Sequence, residues 1–219
     1  MNKFLKVALI YVPLSFLVLS VSWVLVYKWA PVKWTPLMLK RTLQNRDKDD
    51  YSNVQFWVDI EEVSPNIVNA LIAAEDQRFY HHHGIDFVEL GKMRVAHKAY
   101  GEKMRGCSTI SQQVAKNCFT FGTRTYVRKA IEAYYTLLIE AIWGKERILE
   151  VYINVAETGY GLFGVEAACQ HYYGHSSEKV SVSKAAAIAC IFPSPLKRTP
   201  HTVRKTHARK HAMIVRTIS

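Results

Sequence analysis

Residues 73–84 read AAEDQRFYHHHG, and this stretch ends the most regular apolar pattern in the chain. Before it, apolar side chains recur at every third or fourth position, which predicts a helix that begins at Ser64 and Pro65 and ends by Gly84. Glu75 falls on the apolar side of this helix, where a carboxyl is shielded from water. Such a carboxyl holds its proton more tightly than an exposed one, which suits general acid or base chemistry.

The same stretch also fits two other interpretations. A structural ion pair between Glu75 and Arg78 is compatible with the spacing, and periodicity alone does not exclude it. The run His81–His83 resembles a metal site, but consecutive helical residues point about 100° apart and cannot share one ion. The four cysteines lack zinc-site spacing and are expected to be small core residues, with disulfides as the alternative. We therefore expect no metal site.

The N-terminal segment is apolar enough to cross a membrane. Residues 7–27 read VALIYVPLSFLVLSVSWVLVY, without a charged side chain, and match the length of about 20 residues that a bilayer requires. Trp23, Tyr27 and Trp29 resemble an interfacial aromatic belt. A signal peptide has a shorter apolar core and a small-residue cleavage site. The segment is therefore interpreted as an uncleaved single-span anchor.

Composition restricts the remaining possibilities. The chain has 219 residues, enough for one sizeable domain, and its net charge is +11. Such a surplus of positive charge favours an acidic partner: nucleic acid, anionic lipid headgroups or a phosphorylated substrate. From Ser64 onward the periodicity is helical almost throughout, with no convincing series of strands. It predicts a central helix from Thr125 to Trp143 that is apolar on most sides, a helix that ends at Gly174 and one basic helix from Thr202 to Ile218. Three glycines at 159, 161 and 164 indicate a flexible bend. The fold class predicted from the residues is all-α with a membrane anchor.

Two further stretches carry side chains suited to an anion. Thr109 and Gln112 form a capping box that opens a helix, and hydroxyl groups at a helix start lie beside free backbone donors. The side chains concerned are Ser108, Gln113, Lys116 and Asn117 in this stretch and Arg124, Arg128, Lys129 and Glu132 in the next. Two guanidiniums flanking a carboxylate on one helix face suit a diphosphate. They suit an ordinary surface ion-pair network equally well.

Five ordered motifs resemble the signatures of the peptidoglycan glycosyltransferase family, family 51. They are Glu75-Asp76-x-x-Phe79-x-x-His82-x-Gly84, Gly106-x-Ser108-Thr109-Ile110-x-Gln112-Gln113-x-x-Lys116-Asn117, Arg128-Lys129-x-x-Glu132, Lys145-x-x-Ile148-Leu149-Glu150-x-Tyr152-Ile153-Asn154 and Gly164-Val165-Glu166-Ala167-Ala168-x-x-Tyr172-Tyr173-Gly174. Cys107 stands where glycine is common, and Ile153 where leucine is usual. Five motifs in order are far more specific than one. With one anchor and no downstream transpeptidase domain, the chain resembles the monofunctional biosynthetic form.

The resemblance implies a lysozyme-like, all-α domain with a small membrane-associated lobe. It also implies the domain order: an anchor at 1–30, a juxtamembrane connector at 31–53 and the glycosyltransferase domain at 54–219. Such enzymes polymerise lipid II, an undecaprenyl diphosphate carrying a disaccharide-peptide. The sugar is transferred with inversion to a GlcNAc 4-hydroxyl, which forms a β-1,4 link.

The resemblance also assigns roles to residues. Glu75 matches the catalytic base, and Glu132 matches the second acid, which assists the leaving diphosphate. The positions that match substrate contacts are Ser108, Gln113, Lys116, Asn117, Arg124, Arg128 and Lys129. The positions that match structural parts of the motifs are Asp76, Phe79, His82, Gly84 and Asn154. No tightly bound cofactor is implied, and a divalent cation, Mg²⁺ or Mn²⁺, stays open as a helper of the diphosphate.

The expected partners are lipid II, the growing glycan strand, membrane lipid and proteins of wall synthesis or division, with no nucleic acid. The expected location is the bacterial inner membrane, single-pass, with the domain on the periplasmic face. Lysines flank both ends of the apolar segment, so charge alone does not fix this orientation. The alternatives are a glycan-cleaving, lysozyme-like enzyme and a non-catalytic membrane-tethered scaffold of the cell wall. A cleaving enzyme needs no diphosphate site, and a scaffold needs neither glutamate.

Overall fold

Helices make up most of the chain. The computed structural model describes residues 3–101, 108–121 and 125–219, with the backbone alone for residues 3–6 and 8. The helices are α1 (Lys3–Trp29), α2 (Pro36–Gln44), α3 (Pro65–Glu75), α4 (Phe87–Tyr100), α5 (Ile110–Phe119), α6 (Tyr126–Ile142), α7 (Lys145–Val155), α8 (Val165–Tyr173), α9 (Val182–Ala189), α10 (Pro200–Thr206) and α11 (Ala208–Ile218). The 3-10 turns are Ile60–Glu62 and Phe79–His81, and the strands are β1 (Val54–Gln55), β2 (Glu157–Gly159) and β3 (Leu162–Phe163). The predicted all-α class is confirmed.

Helix α3 starts where the sequence predicts but ends earlier. Pro65 opens it, whereas the Ser64 hydroxyl does not cap the helix and instead donates to the Val180 carbonyl over 3.3 Å. The helix stops at Glu75, and the predicted end at Gly84 is wrong. Asp76 leaves helical geometry, with φ −160° and ψ 72°, and its carboxylate turns toward the start of α5. A side-chain contact therefore ends this helix.

Helices α5, α6 and α7 form the centre of the domain. The predicted capping box of α5 is present, and Thr125 caps α6 by accepting from the Arg128 N–H over 3.1 Å. The buried side of α6 carries Glu132, Tyr135, Thr136 and Ile139. Although α6 is apolar on most sides, as the sequence indicates, some of its apolar side chains are exposed, and Val127 is 70% exposed. The helices that pack against α6 cover one side of it.

A small sheet occupies the glycine-rich stretch that the sequence suggested as a flexible bend. Its strand order is β1-β3-β2, with β1 parallel and β2 antiparallel to β3. Gly161 has φ +68°, and a Cβ there would lie 2.3 Å from the Ser52 carbonyl oxygen. Backbone approach therefore requires glycine at this turn. Strands this short have too little alternation to be recognised in a sequence.

The basic C-terminal tail forms two helices where the sequence predicted one. The break lies at His207, with φ −127° and ψ 34°, between α10 and α11. Val203 and Ile214 are fully buried, one on each helix. Helix α11 packs against α3 and α9, so the bend lets both helices cover the same layer. Cys118, Cys169 and Cys190 are buried and unpaired, as expected, and Cys107 lies outside the described residues.

Helix α1 is long and apolar enough to cross a membrane, over Leu9–Trp29 with a mean hydropathy of 2.3. Side chains of α6 and α7, and that of Trp143 directly after α6, bind its C-terminal half to the domain. The Tyr134 hydroxyl lies 2.7 Å from that of Ser20, and the Trp143 indole donates to the Val24 carbonyl over 2.8 Å. Arg147 donates to the Tyr27 and Ala30 carbonyls at 2.8 and 2.6 Å. Helix α1 is therefore packed against the rest of the structure.

The connector at 31–53 also contacts the domain. Met38 of α2 is buried, and Arg41 forms a two-point ion pair with Glu157 of β2 at 2.6 and 2.7 Å. Asn154 joins α7 to the segment after β1, since its side chain accepts from the Val58 N–H over 2.9 Å and donates to the Val58 carbonyl over 2.8 Å. These contacts join α2 to β2 and the segment after β1 to α7.

Glu166 gives a test of the packing between α8 and the loop that follows it. Burial raises the pKa of this carboxyl, but hydrogen bonds from Ser177, Gln170 and Ser176 outweigh it and hold the pKa below its ordinary value. A depressed pKa contributes stability above the pKa of the unfolded chain, near 4.3, and the contribution is lost as the pH falls through the folded-state pKa. We expect Glu166→Gln to lower the free energy of unfolding by about 1–3 kcal/mol at pH 7 and by less below pH 4.

The measurement is denaturant unfolding in detergent at several pH values. Glu178→Gln is the matched control, because the Glu178 side chain is 64% exposed. Equal stability of the two variants at pH 7 would contradict the role of Glu166.

Candidate active site

Glu75 is the last residue of α3, and two other helices hold its carboxylate. Its side chain is 13% exposed. The Gln113 amide of α5 donates to one carboxylate oxygen over 3.2 Å, and the Lys210 ammonium of α11 lies 3.3 Å from the other. The alternative ion pair with Arg78 is wrong, because Arg78 pairs with Asp86 over 3.1 Å. A charged group and an amide from distant parts of the chain therefore fix this carboxylate.

The loop after Glu75 is tied to the start of α5. His82 Nε2 lies 2.9 and 3.0 Å from the carboxylate oxygens of Asp76, which also accepts from the Ile110 N–H over 3.0 Å. Phe79 is fully buried. Gly84 has φ +88°, and a Cβ there would lie 2.7 Å from the Thr136 methyl group. These contacts fix the direction in which the chain leaves Glu75.

Asp76, His82 and Asp86 bring three potential metal-ligand atoms within 4.8 Å of one another. The Asp76 oxygens already accept from His82 and from the Ile110 N–H. Asp86 already accepts from the Glu89 N–H over 2.9 Å and lies beside the Arg78 guanidinium. Hydrogen bonds therefore hold this cluster together, and the Arg78 guanidinium supplies positive charge beside it.

A second group of charges lies where α5 faces α6. Arg128 donates to Glu132 over 2.7 Å, and the Lys129 ammonium contacts the other oxygen of the same carboxylate. The Glu132 side chain is 3% exposed, whereas that of Lys129 is 47% exposed. Arg124, predicted to belong to this group, lies outside the described residues. A buried carboxylate thus holds two cations on one helix face.

Lys116 of α5 completes this group, which we call the cation cluster: Lys116, Arg128 and Lys129 around Glu132. Part of Lys116 is exposed to solvent, yet the protein atoms packed around it reduce its solvation and lower its pKa. The charge of Glu132 raises this pKa, and the charges of Arg128 and Lys129 lower it further. A lysine in this position loses its proton more readily than an ordinary lysine.

Helix α5 connects the cation cluster to Glu75. Gln113 and Lys116 are three residues apart, so they share one face of this helix. The Tyr152 hydroxyl donates to the Gln113 amide oxygen over 3.3 Å, which orients the amide toward Glu75. Asn117 is buried, with an amide oxygen that accepts no hydrogen bond from the described residues. Its predicted substrate contact stays a prediction.

A cavity of about 630 Å³ opens beside Glu75. The described residues that line it include Glu75, Arg78, Lys92, Ser108 and Met213, but none of the cation cluster. Glu75 therefore lies between two environments. On one side is space large enough for a sugar, and on the other is the α5 face that leads to the positive charges.

Comparisons with known proteins show the family of the chain. The sequence profile of the family described as Transglycosylase matches residues 40–219. The chain belongs to the transglycosylase family. Proteins named biosynthetic peptidoglycan transglycosylase are similar to it: 46% identity over 174 residues in Caulobacter vibrioides, covering 80% of this chain and 73% of the relative. The protein of that name in Bdellovibrio bacteriovorus is 43% identical over 183 residues, covering 83% of this chain and 73% of the relative. The one in Pseudomonas aeruginosa is 42% identical over 185 residues, covering 84% of this chain and 79% of the relative.

Sequence reasoning missed one residue of this transglycosylase site. Lys210 lies 135 positions after Glu75, in the basic C-terminal tail, and none of the five motifs includes it. The available signal was the apolar periodicity of Met213 and Ile214 beside it, which predicts that one side of the tail packs on the domain. Periodicity does not tell which buried carboxylate such a lysine meets.

The pKa of Lys116 gives a test of the cation cluster. Because this pKa is lowered, we expect affinity for a lipid-linked diphosphate to fall as the pH rises, starting at a lower pH than for an ordinary lysine. Lys116→Arg keeps its charge throughout and should move the fall to higher pH. The measurement is the dissociation constant of the ligand against pH for both proteins. Superimposable curves would contradict the placement of Lys116 at the diphosphate.

Proposed function

We propose that this transglycosylase extends glycan strands from lipid II, with Glu75 as the base that activates the acceptor hydroxyl. The observation that carries the proposal is the position of the Glu75 carboxylate, fixed by Gln113 and Lys210 at the edge of a cavity of about 630 Å³. Family membership supports the reaction type: the chain is a peptidoglycan glycosyltransferase.

The acceptor side of the reaction requires an ionised base within reach of a hydroxyl. A carboxylate offers about four lone-pair sites, and Gln113 and Lys210 engage one on each oxygen of Glu75. The remaining lone pairs are free to accept the proton of a sugar hydroxyl in the cavity. The Lys210 ammonium stabilises the negative charge that makes Glu75 a base.

The donor side requires positive charge for a leaving diphosphate. In the transfer, the acceptor oxygen forms a bond to C1 of the donor sugar while the bond from C1 to the phosphate oxygen breaks. The proton passes to Glu75, and the bonding electrons leave with the diphosphate. Attack from the side opposite the leaving group inverts C1 and produces the β-1,4 link. Lys116, Arg128 and Lys129 are preorganised to stabilise the charge that develops on the diphosphate.

Glu132 has a supporting role in this proposal. Its buried carboxylate accepts from Arg128 and Lys129, and so fixes the two cations that face the donor. Each of its oxygens already contacts a protein cation, and the described residues of the cation cluster include no other carboxylate that could share a metal ion. This donor set does not fit a resident divalent cation. The cations of the protein itself therefore carry the neutralisation of the diphosphate.

The proposed location is the bacterial inner membrane, with α1 as a single span and the domain on the periplasmic face. The supporting observations are the length and hydropathy of α1 and the apolar surface of α4. Phe87, Val95 and Tyr100 of α4 are 74%, 67% and 80% exposed, which suits a membrane-associated lobe. An enzyme at this level meets a substrate whose lipid stays in the bilayer.

The first experiment changes the proposed base. Glu75→Gln keeps the shape of the side chain but removes the proton acceptor, so we expect polymerisation of labelled lipid II to fall at least 100-fold with binding retained. Glu61→Gln, at an exposed glutamate, is the matched control. Product gels with and without a chelator should be identical. Unchanged turnover in Glu75→Gln, or shortening of finished glycan by the unmodified protein, would overturn the proposal.

Lys210 is proposed as a positioning residue that acts through Glu75. We expect Lys210→Met to lower kcat about tenfold with little change in KM, since the charge acts on the base and not on lipid II. Lys210→Arg should recover most of the rate, because a guanidinium keeps the charge. Lys179→Met is the control, with a side chain that is 88% exposed. A change in KM without a change in kcat, or failure of Lys210→Arg to restore kcat, would contradict this role.

A further inference from the structure

The positive charge of this chain is concentrated at its C-terminal end. Residues 179–219 contain nine lysines and arginines and no aspartate or glutamate. Five of these cations are exposed on α10, on α11 or just before α10, and we call them the basic surface: Lys197, Arg204, Lys205, Arg209 and Arg216. None of the five forms an ion pair with another described residue of the chain. The basic surface therefore carries charge that no part of the described structure neutralises.

The two helices keep no apolar face for insertion into a bilayer. Val203 and Ile214 are fully buried, and α11 packs its apolar side on α3 and α9. Within α10 and α11, Met213 is the one large apolar side chain that is exposed, and it lines the cavity beside Glu75. A helix that lies in a membrane interface needs an apolar face free for lipid. The basic surface lacks that face.

The basic surface also rests on different helices from those that hold the anchor. Helix α1 contacts Phe119 of α5, Tyr134 of α6 and Arg147 of α7. Helix α11 packs on α3 and α9, and α10 packs on α9. This arrangement disfavours the headgroups around the anchor as the partner of the basic surface.

One residue of the basic surface is adjacent in sequence to a residue of the active site. Arg209 precedes Lys210, whose ammonium lies 3.3 Å from the Glu75 carboxylate. Arg209 and Arg216 are seven residues apart, so they lie on one face of α11, separated by about 10 Å. That face adjoins the one on which Lys210 and Met213 meet the site. A polymer that leaves the cavity along α11 therefore meets successive cations.

We propose that the basic surface binds the growing glycan strand through the carboxylates of its stem peptides. The proposal rests on the proposed function, because it needs a product that carries one acidic peptide on each disaccharide. Repeated negative charges on the strand match repeated positive charges on α10 and α11. Each exposed contact is weak and screened by salt, and several together retain the strand between successive transfers.

The test compares two double variants with the same change of charge. Arg204→Gln/Arg209→Gln alters the basic surface, and Lys33→Gln/Arg46→Gln, at exposed residues near α2, is the control. The probes are soluble glycan strands with free stem-peptide carboxylates and the same strands after amidation of those carboxylates. Dissociation constants are measured at low and high salt, together with the initial rate and the strand length obtained from lipid II.

We expect the unmodified protein to bind the acidic strands about three- to tenfold more tightly than the amidated ones at low salt. The Arg204→Gln/Arg209→Gln variant should lose this preference and make shorter strands at an unchanged initial rate, and the control should do neither. Equal affinity for both kinds of strand would overturn the proposal. So would a variant that keeps the preference and instead loses binding to phosphatidylglycerol vesicles. The binding comparison needs no turnover, so a failure to polymerise lipid II counts against the proposed function separately.

Discussion

The structure depends on one partly buried set of contacts: the Glu75 carboxylate between the Gln113 amide and the Lys210 ammonium. Three helices that are distant in sequence, α3, α5 and α11, must pack correctly for this contact to form. A carboxylate that is 13% exposed needs such partners, because desolvation without hydrogen bonds or opposite charge is costly. The requirement for a fixed base therefore explains why the C-terminal helix α11 packs against α3.

The remaining architecture separates two tasks around that carboxylate. Asp76 and His82 stabilise the loop that lines the cavity. Glu132 holds two cations on the face of α6 that lies toward α5. Each of these two groups contains a buried carboxylate whose oxygens accept hydrogen bonds, so its partners are held in fixed orientations. Helix α1 adds a third constraint, because its hydrogen bonds to Trp143 and Arg147 fix its position against the domain.

Much of this was predictable wherever a local rule decides the outcome. The capping box at Thr109 and the left-handed Gly174 set the ends of α5 and α8, and both were predicted, because caps act within one turn. The end of α3 was not, since it depends on contacts of Asp76 with α5. The β2–β3 turn needs glycine at Gly161 because Ser52 lies against it. Lys210 was missed for the same reason: tertiary contacts over long separations leave no local pattern.

The most direct measurement of the central claim is a crystal structure with a non-transferable lipid diphosphate donor. The account predicts diphosphate oxygens within ion-pair distance of Lys116 and Arg128, about 4 Å or less, with C1 of the sugar turned toward the cavity at Glu75. A diphosphate bound away from both cations, or a donor sugar with the Glu75 carboxylate facing away from it, would contradict the account.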